Sequence, residues 1–140
     1  MTRYLGIDYG SKRIGLAISD PNTGIASPLS TIEVTGGLRQ HVDAVAQFLA
    51  EYEVDALVVG LPLNMDGIEG GQAKVTMAFG DELSQVTSLP IHYHDERLSS
   101  RSAVELLLPA ELTRKKKKAR LDSVAAQVML QDFLNAQTEG

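Results

Sequence analysis

The sequence predicts an α/β domain in which a mixed five-stranded sheet carries helices on both faces. Three short strand-like segments separated by turns come first, and helix-like segments that alternate with two further apolar runs follow them. A meander followed by β-α-β units gives a sheet with both antiparallel and parallel neighbours. A chain of 140 residues is long enough for one hydrophobic core, so we expect residues 1–140 to form a single domain.

The strands of the meander are predicted at residues 3–8, at residues 14–19 and within residues 25–34. The first strand ends in a carboxylate at Asp8, and the second alternates small and large apolar side chains. The segment from Gly10 to Arg13 is a short turn that begins with glycine, which predicts a hairpin. Pro28 lacks a backbone N–H group, so the third strand should end there or lie at an edge of the sheet.

The rest of the chain alternates helical and extended periods. Apolar residues recur at helical spacing from Leu38 to Leu49, which predicts a helix there. Residues 56–60 are a continuous apolar run typical of a buried parallel strand, and residues 89–94 form the last predicted strand. Further helices are predicted at residues 71–86, 99–108 and 121–135, with Pro109 and a basic block separating the last two.

The composition is that of an ordinary soluble globular protein, with 44% hydrophobic and 22% charged residues. No apolar run reaches the roughly 18 residues that suggest a membrane span, and the N-terminal residues show no long apolar signal segment. We therefore expect a cytoplasmic protein with no membrane partner. The absence of cysteine fits this expectation, and it excludes disulfides, cysteine-ligated zinc and thiol chemistry.

The charges are unevenly distributed along the chain. The formal net charge of −5 argues mildly against nucleic acid, because neutralising phosphates usually needs a basic face. However, residues 114–120 form a dense basic block, which consists of Arg114, Lys115, Lys116, Lys117, Lys118, Ala119 and Arg120. Such a block can bind a polyanion even when the total charge is negative, and its alternative interpretation is a solvated, mobile loop.

Acidic residues stand where the predicted elements would bring them together. Asp8 ends the first strand, Asp95 and Glu96 end the last strand, and Asp122 lies in the first turn of the predicted last helix. In open α/β sheets, ligand sites form beyond the carboxyl ends of the strands. Magnesium prefers hard oxygen ligands and keeps several waters, so two or three of these carboxylates could bind it. Two such ions can activate water for phosphodiester cleavage.

Each acid also has a structural interpretation. Asp8 comes just before a glycine turn and could be a turn residue, and Asp122 could stabilise the positive end of a helix dipole. The residues after Asp122 are nearly all apolar, however, so a carboxylate at the start of that buried helix would be costly unless it is paired or metal-bound. Asp95 and Glu96 are adjacent, so extended geometry points only one of them into the site.

Polar side chains near the same rim could contact phosphates. These candidates are Lys12, Arg13, Asn64, Arg97 and Arg101. An exposed hairpin tip is an equally simple interpretation of Lys12 and Arg13. His92 and His94 have a spacing that can chelate a metal, but no other histidine is near them in sequence. We therefore interpret these histidines as structural or solvent-facing.

Four segments of the sequence resemble the motifs of the YqgF/RuvX family. They are residues 6–17 (GIDYGSKRIGLA), 59–67 (VGLPLNMDG), 94–100 (HDERLSS) and 121–126 (LDSVAA). The four segments occur in family order and together span almost the whole chain. One segment alone would be weakly specific, whereas four in order are a strong match.

The resemblance implies a RuvC-like protein with a ribonuclease H-like fold. It also implies an endonuclease that is linked to maturation of the 5′ end of pre-16S ribosomal RNA, and Holliday junction resolution is proposed for the family as well. By motif position, the catalytic acids would be Asp8, Asp122 and Glu96 (or Asp95), with Asp8, Glu96 and Asp122 holding the metal. RuvC-type enzymes place an acid at the end of the fourth strand, whereas residues 60–62 here read GLP and leave fewer metal ligands.

The leading hypothesis is a magnesium- or manganese-dependent endonuclease that acts on structured nucleic acid, either pre-rRNA or branched DNA. Lys12, Arg13, Arg97 and the lysines at 115–118 would position the backbone. Its first alternative is a non-catalytic RNA-binding factor of ribosome assembly, which the basic block and the missing acid favour. A second is a nucleotide phosphotransferase, but such proteins close two domains of this kind around ATP. A junction-cutting enzyme would also need a symmetric homodimer to make paired incisions.

Overall fold

The computed structural model of the chain describes residues 2–62, 70–95 and 114–139. It contains a five-stranded sheet, whose strands are β1 (Tyr4–Tyr9), β2 (Arg13–Asp20), β3 (Ile25–Glu33), β4 (Ala56–Leu61) and β5 (Ile91–Asp95). The helices of the described part are α1 (Leu38–Leu49), α2 (Gly71–Thr87) and α3 (Arg114–Glu139). No helix in these three ranges is long and apolar enough to span a membrane.

The sheet has the order β3-β2-β1-β4-β5 and is mixed, as predicted. β1, β2 and β3 are antiparallel neighbours, whereas β4 is parallel to β1 and β5 is parallel to β4. β3 lies at the edge, which accommodates the missing N–H group of Pro28. The pairing shifts there, because Leu16 lies opposite Ser30 and Ala17 lies opposite Pro28, so that Leu29 is an extra residue in β3.

The last helix begins earlier than the sequence predicted. The expected helix covered residues 121–135, with the basic block as an interruption, but α3 runs without a break from Arg114 to Glu139. The prediction was wrong because it gave weight to the charge of the block and ignored its helix propensity. Lysine, arginine and alanine are all good helix formers, and residues 114–120 contain no glycine or proline. The helix predicted at residues 99–108 lies outside the described residues.

The two faces of the sheet pack against different helices, which confirms the predicted arrangement. One face bears large side chains such as Leu5, Ile7 and Leu16, which form the main core with residues of α1 and α2. The other face bears small side chains such as Ala17 and packs on α3 through Leu130 and neighbouring residues. This division follows from the alternation of side chains along each strand.

Two glycines allow α3 to lie directly on the sheet. A Cβ atom built on Gly6 of β1 would come within 2.8 Å of the Cβ atom of Leu130. A Cβ atom built on Gly15 of β2 would overlap the backbone carbonyl group of Asp122. Any side chain at position 15 would therefore push α3 away from the sheet at the level of Asp122.

Candidate active site

A cleft of about 280 Å³ opens where β1 ends and β2 begins. Its lining consists of Asp8, Tyr9, Gly10, Ser11, Lys12, Arg13 and Asp122. Residues from the first hairpin thus meet a residue of α3 that is more than one hundred positions away in the sequence. The cleft contains two of the carboxylates and both of the turn cations that the sequence singled out.

Strand alternation explains why the side chain of Asp8 lies on the α3 face. Its neighbours Ile7 and Tyr9 both pack into the core on the opposite face, under α1 and α2. Asp8 lies directly across from Gly15 in the β1–β2 ladder, and Gly15 is the position where the backbone of Asp122 approaches the sheet. Because residues opposite each other in a ladder share a face, this register places Asp8 beside Asp122.

Asp122 is a buried carboxylate that is paired with Arg13. Nε of Arg13 donates a hydrogen bond to Oδ2 of Asp122 at 2.6 Å. The Asp122 side chain is only 7% exposed, whereas that of Arg13 is 33% exposed. A buried carboxylate needs a compensating charge or hydrogen bonds, and a charge-assisted bond of this length supplies both. The pair connects the start of β2 to α3 across the cleft.

Asp122 does not interact with the helix dipole in the way that one sequence interpretation proposed. α3 begins at Arg114, so Asp122 lies about two turns inside the helix. The effect of the dipole on a side chain falls off within the first turn. The pairing with Arg13 therefore contributes to compensating the charge of this buried carboxylate, and the helix dipole does not.

A half-buried tyrosine that is paired with a buried histidine supports the end of β1 from the opposite face. The Tyr9 hydroxyl lies 2.6 Å from Nδ1 of His41, and the Tyr9 ring stacks on Phe79 with centroids 4.0 Å apart. Burial raises the pKa of the Tyr9 phenol. The sequence interpretation gave His41 no role, although position 41 falls on the buried face of α1 beside Val42 and Val45. A polar residue on the apolar face of a predicted helix was the sequence feature that could have indicated a structural role for His41.

Asp95 lies on the other face of the sheet from Asp8. Tyr93 packs into the core on the α1–α2 side, and its hydroxyl lies within hydrogen-bond distance of two acceptors, Oδ1 of Asp81 at 2.7 Å and the carbonyl oxygen of Met77 at 2.9 Å. His94 points to the opposite side, where its Nε2 lies 2.9 Å from Oδ2 of Asp132 on α3. Alternation along β5 therefore puts Asp95 on the Tyr93 side. The structure does not bring Asp95 together with Asp8 and Asp122.

The two strand histidines lie against α3. The rings of His92 and His94 both lie beside Phe133, with centroid separations of 5.3 and 6.0 Å. His94 also pairs with Asp132, whereas His92 is exposed. Within the three described ranges, no group of three or more histidine, aspartate or glutamate residues could hold a metal ion.

The remaining candidates for nucleic-acid contacts are only partly placed. Lys12 is exposed at the mouth of the cleft, and Lys116 is exposed on the first turns of α3. The side chains of Lys115, Lys117 and Lys118 lie outside the described part of the chain. Four more predicted site residues lie outside it altogether, and they are Asn64, Glu96, Arg97 and Arg101.

The donor set of the cleft fits a hard divalent cation. Asp8 and Asp122 bring carboxylate oxygens to one opening, and such oxygens are the ligands that magnesium and manganese prefer. Magnesium bound to proteins usually keeps several waters and needs only one or two carboxylates besides the substrate. Asp8 and Asp122 therefore match the number of carboxylate ligands that such a site needs from the protein.

Comparisons with known proteins identify the family to which the chain is similar. The RuvX family, described as Holliday junction resolvase, matches residues 2–136. A protein of Roseiflexus sp. (strain RS-1) named "Putative pre-16S rRNA nuclease" is 40% identical over 135 residues, which cover 96% of this chain and 95% of that protein. A protein of the same name from Syntrophomonas wolfei is 39% identical over 138 residues, which cover 99% of this chain and 97% of that protein.

Solved structures show the same architecture at low sequence identity. RuvC of T. thermophilus in complex with a Holliday junction substrate superposes with a TM-score of 0.60 at 14% identity, over 99% of this chain and 96% of RuvC. The Fowlpox virus resolvase with junction DNA gives a TM-score of 0.60 at 12% identity, over 96% of this chain and 98% of the resolvase. The RuvC-like, ribonuclease H-like fold is thus confirmed, and the chain belongs to the RuvX family of nucleases.

Proposed function

We propose that this protein is a metal-dependent endonuclease that hydrolyses phosphodiester bonds in structured nucleic acid. The observation that carries the proposal is the convergence of Asp8 and Asp122 in one cleft beside Lys12 and Arg13. Carboxylates supply ligands for a cation, and the adjacent basic side chains supply contacts for phosphate oxygens. The names of the relatives support precursor 16S rRNA as the substrate, and the family description supports branched DNA as the second possibility.

The proposed metal ligands are Asp8, Asp122 and Glu96, with Mg²⁺ or Mn²⁺ as the ion. Asp95 lies on the opposite face of the sheet from Asp8, so we assign the third carboxylate to Glu96 and not to Asp95. The missing acid after β4 does not prevent this assignment. Gly60, near the end of β4, has no side chain to offer, and the ligands that we propose come instead from β1, from α3 and from the chain after β5.

When bound, the metal would supply a Lewis acid and lower the pKa of a coordinated water. The chain itself holds the carboxylates in place and positions the substrate. Lys12, exposed at the mouth of the cleft, attracts a backbone phosphate, and Lys116 and Arg120 extend the positive surface along α3. The narrow spacing between α3 and β2 at Gly15 fixes the distance from Asp122 to Asp8. No covalent enzyme intermediate is required, because water is the nucleophile.

Partners and location complete the proposal. A precursor rRNA substrate would be consistent with the cytoplasmic, ribosome-assembly role that we propose, and a monomer would suffice for a single cut. A Holliday junction requires two symmetric cuts, so activity on that substrate would need a homodimer.

A cleavage assay tests the proposal directly. Wild-type protein, Asp8→Asn and the control Asp43→Asn are compared in Mg²⁺ or Mn²⁺ on structured precursor RNA, four-way DNA junctions and single strands. We expect Asp8→Asn to lower the cleavage rate by about 10³-fold or more and to leave nucleic-acid binding largely intact. Asp43 is exposed on α1, away from the cleft, so its variant should cut at the wild-type rate.

Two results would contradict the proposal. Undiminished cleavage by pure Asp8→Asn would show that the site is elsewhere. Salt-sensitive binding of precursor RNA that is indifferent to Mg²⁺ and leads to no cleavage of any substrate would instead indicate a non-catalytic RNA-binding assembly factor.

A further inference from the structure

The guanidinium group of Arg13 can pair with either of two anions in the cleft. One is the carboxylate of Asp122, the other is a phosphate of bound nucleic acid, and the two compete for it. Its Nε is bonded to Oδ2 of Asp122, which is a proposed metal ligand. Its side chain is one-third exposed at an opening that is lined by Lys12 and Ser11, where a nucleic-acid phosphate would arrive. A guanidinium group pairs with carboxylate and with phosphate through the same planar fork of donors.

Burial makes the pair with Asp122 consequential for metal binding. The Asp122 side chain is 7% exposed, so moving the charge of Arg13 away from this low-dielectric site is costly unless another cation takes its place. A divalent cation at the same carboxylate is such a replacement. Two cations at one carboxylate repel each other, so Arg13 bonded to Asp122 lowers the affinity of the cleft for the metal.

We propose that Arg13 is a gate that couples metal binding to substrate binding, an inference that rests on the proposed nuclease function. In the free protein, Arg13 neutralises Asp122 and keeps metal affinity low. An incoming backbone phosphate draws the guanidinium away from Asp122, and the metal then takes its place. Arg13 acts through Asp122 and through the phosphate position, so it is a positioning residue.

The gate makes a thermodynamic prediction that a purely structural ion pair does not make. If nucleic acid raises the affinity for the metal by some factor, the metal must raise the affinity for nucleic acid by the same factor. Removing Arg13 should weaken this reciprocal coupling, because the metal no longer has a competitor at Asp122 and only the phosphate's own contact with the metal remains. It should also raise the affinity for the metal in the absence of nucleic acid.

The experiment measures Mn²⁺ affinity by electron paramagnetic resonance with and without a phosphorothioate RNA hairpin, which resists hydrolysis. Binding of Mn²⁺ by the hairpin alone is measured separately and subtracted. For the wild type, we expect the hairpin to tighten Mn²⁺ binding about tenfold, because the positive charge of Arg13 moves away from the ion. By reciprocity, Mn²⁺ should tighten hairpin binding by the same factor. Arg13→Gln should bind Mn²⁺ about tenfold more tightly than the wild type without the hairpin, and the hairpin should tighten its Mn²⁺ binding several-fold less than it does for the wild type.

Two further variants separate the gate from general effects. Lys12→Gln removes the same charge from the adjacent position but leaves the Arg13–Asp122 pair, so it should weaken hairpin binding and retain the coupling. Arg13→Lys keeps a cation beside Asp122, so its Mn²⁺ affinity without the hairpin should stay near the wild-type value. Should Arg13→Gln fold only when Mn²⁺ is present, the rise of its melting temperature with Mn²⁺ must exceed that of the wild type.

The outcomes distinguish the gate from the proposed function. If the wild type binds Mn²⁺ through Asp8 and Arg13→Gln binds it equally or more weakly, the gate is wrong and the metal site remains. Coupling that is undiminished in Arg13→Gln leads to the same conclusion. If neither the wild type nor Arg13→Gln binds Mn²⁺, both the gate and the metal-dependent function are overturned.

Discussion

The two faces of the sheet differ in the size of their side chains and in how closely the helices pack on them. On the α1–α2 face, large side chains fill the space between sheet and helices, and Leu5, Ile7 and Phe79 are fully buried there. On the α3 face, glycine and alanine replace large residues along β1 and β2, and the helix lies closer to the sheet. The α3 face buries less apolar volume, and its close packing instead brings Asp122 beside Asp8.

This difference indicates that one face of the sheet contributes mainly to stability and the other mainly to activity. Burial of large apolar side chains is the main favourable term in folding, so the α1–α2 face should dominate the free energy of unfolding. The position of a carboxylate depends on distances of a few ångströms, so the α3 face should dominate activity. Substitutions on the two faces should therefore give different combinations of lost stability and lost cleavage.

Gly15→Ala is the strongest test of the α3 face. The new Cβ atom would overlap the backbone of Asp122, and backbone cannot move aside as a flexible side chain can. We expect α3 to shift, the unfolding free energy to fall by about 3 kcal/mol, and cleavage to be lost even in the folded fraction. Urea denaturation and the cleavage assay, each corrected for the folded fraction, measure the two effects.

Two other variants provide the comparison for Gly15→Ala. Leu83→Ala creates a cavity on the α1–α2 face and should also cost about 3 kcal/mol, but the folded protein should keep wild-type cleavage. Gly71→Ala adds a methyl group at the start of α2, where it would contact nothing beyond its own turn of helix, and should change stability by less than about 1 kcal/mol. Equal loss of cleavage per folded molecule in Gly15→Ala and Leu83→Ala would refute the division between the faces.

Tyr9→Phe tests the support that the α1–α2 face gives to the end of β1. The substitution removes the hydroxyl that lies 2.6 Å from Nδ1 of His41 and leaves a buried imidazole without that partner. We expect a loss of about 2 kcal/mol in the unfolding free energy, because a buried polar group left unsatisfied costs more than the hydrogen bond contributes. Urea denaturation near pH 8 measures the loss.

A double variant tests whether the loss of stability in Tyr9→Phe comes from the broken tyrosine–histidine pair. Tyr9→Phe combined with His41→Leu removes both polar groups, so the double variant should be more stable than Tyr9→Phe alone. If the two substitutions are additive in the unfolding free energy, the pair has no energetic coupling and the interpretation fails.

Much of the site could be predicted from the sequence, because ligand sites in open α/β sheets form beyond the carboxyl ends of the strands. Asp8 at the end of a first strand and Asp122 before an apolar helix were singled out as neighbours, and the structure brings both to the same cleft. Pro28 indicated an edge strand, and β3 is at the edge. These predictions depend only on local pattern and on how strands of this type assemble.

Other features could not be predicted because they depend on tertiary contacts. The glycine at position 15 gives no local signal that it faces Asp122, and the bond from Arg13 to Asp122 joins residues on separate elements. The start of α3 was predicted too late because the positive charges of residues 114–120 suggested a loop, although their helix propensity is high. The proposal of Glu96 rather than Asp95 as the third carboxylate depends on the alternation of Tyr93 and His94 along β5, which the sequence alone did not give.

Alkaline pH gives the smallest of the expected effects, and it also arises on the α1–α2 face. Burial first, and then the hydrogen bond and charge of Asp81, raise the pKa of the Tyr93 phenol well above its ordinary value of 10.0. The folded state therefore keeps a proton that the unfolded state releases. The resulting stabilisation is fully present below pH 10 and is lost as the pH rises through the higher pKa of the folded state.

Tyr93→Phe should flatten this alkaline loss of stability. One titrating group can change the unfolding free energy by at most about 1.4 kcal/mol per pH unit, and because Tyr93 is only partly buried we expect about 1 kcal/mol or less between pH 9 and pH 11. Urea denaturation at pH 9, 10 and 11 measures the slope for the wild type, Tyr93→Phe and Asp81→Asn. The slope for Asp81→Asn should lie between the other two, because burial still raises the pKa of Tyr93 after the charge is removed. Identical slopes for all three proteins would show that the phenol does not determine stability in this range, and the pH dependence would then have to come from other residues.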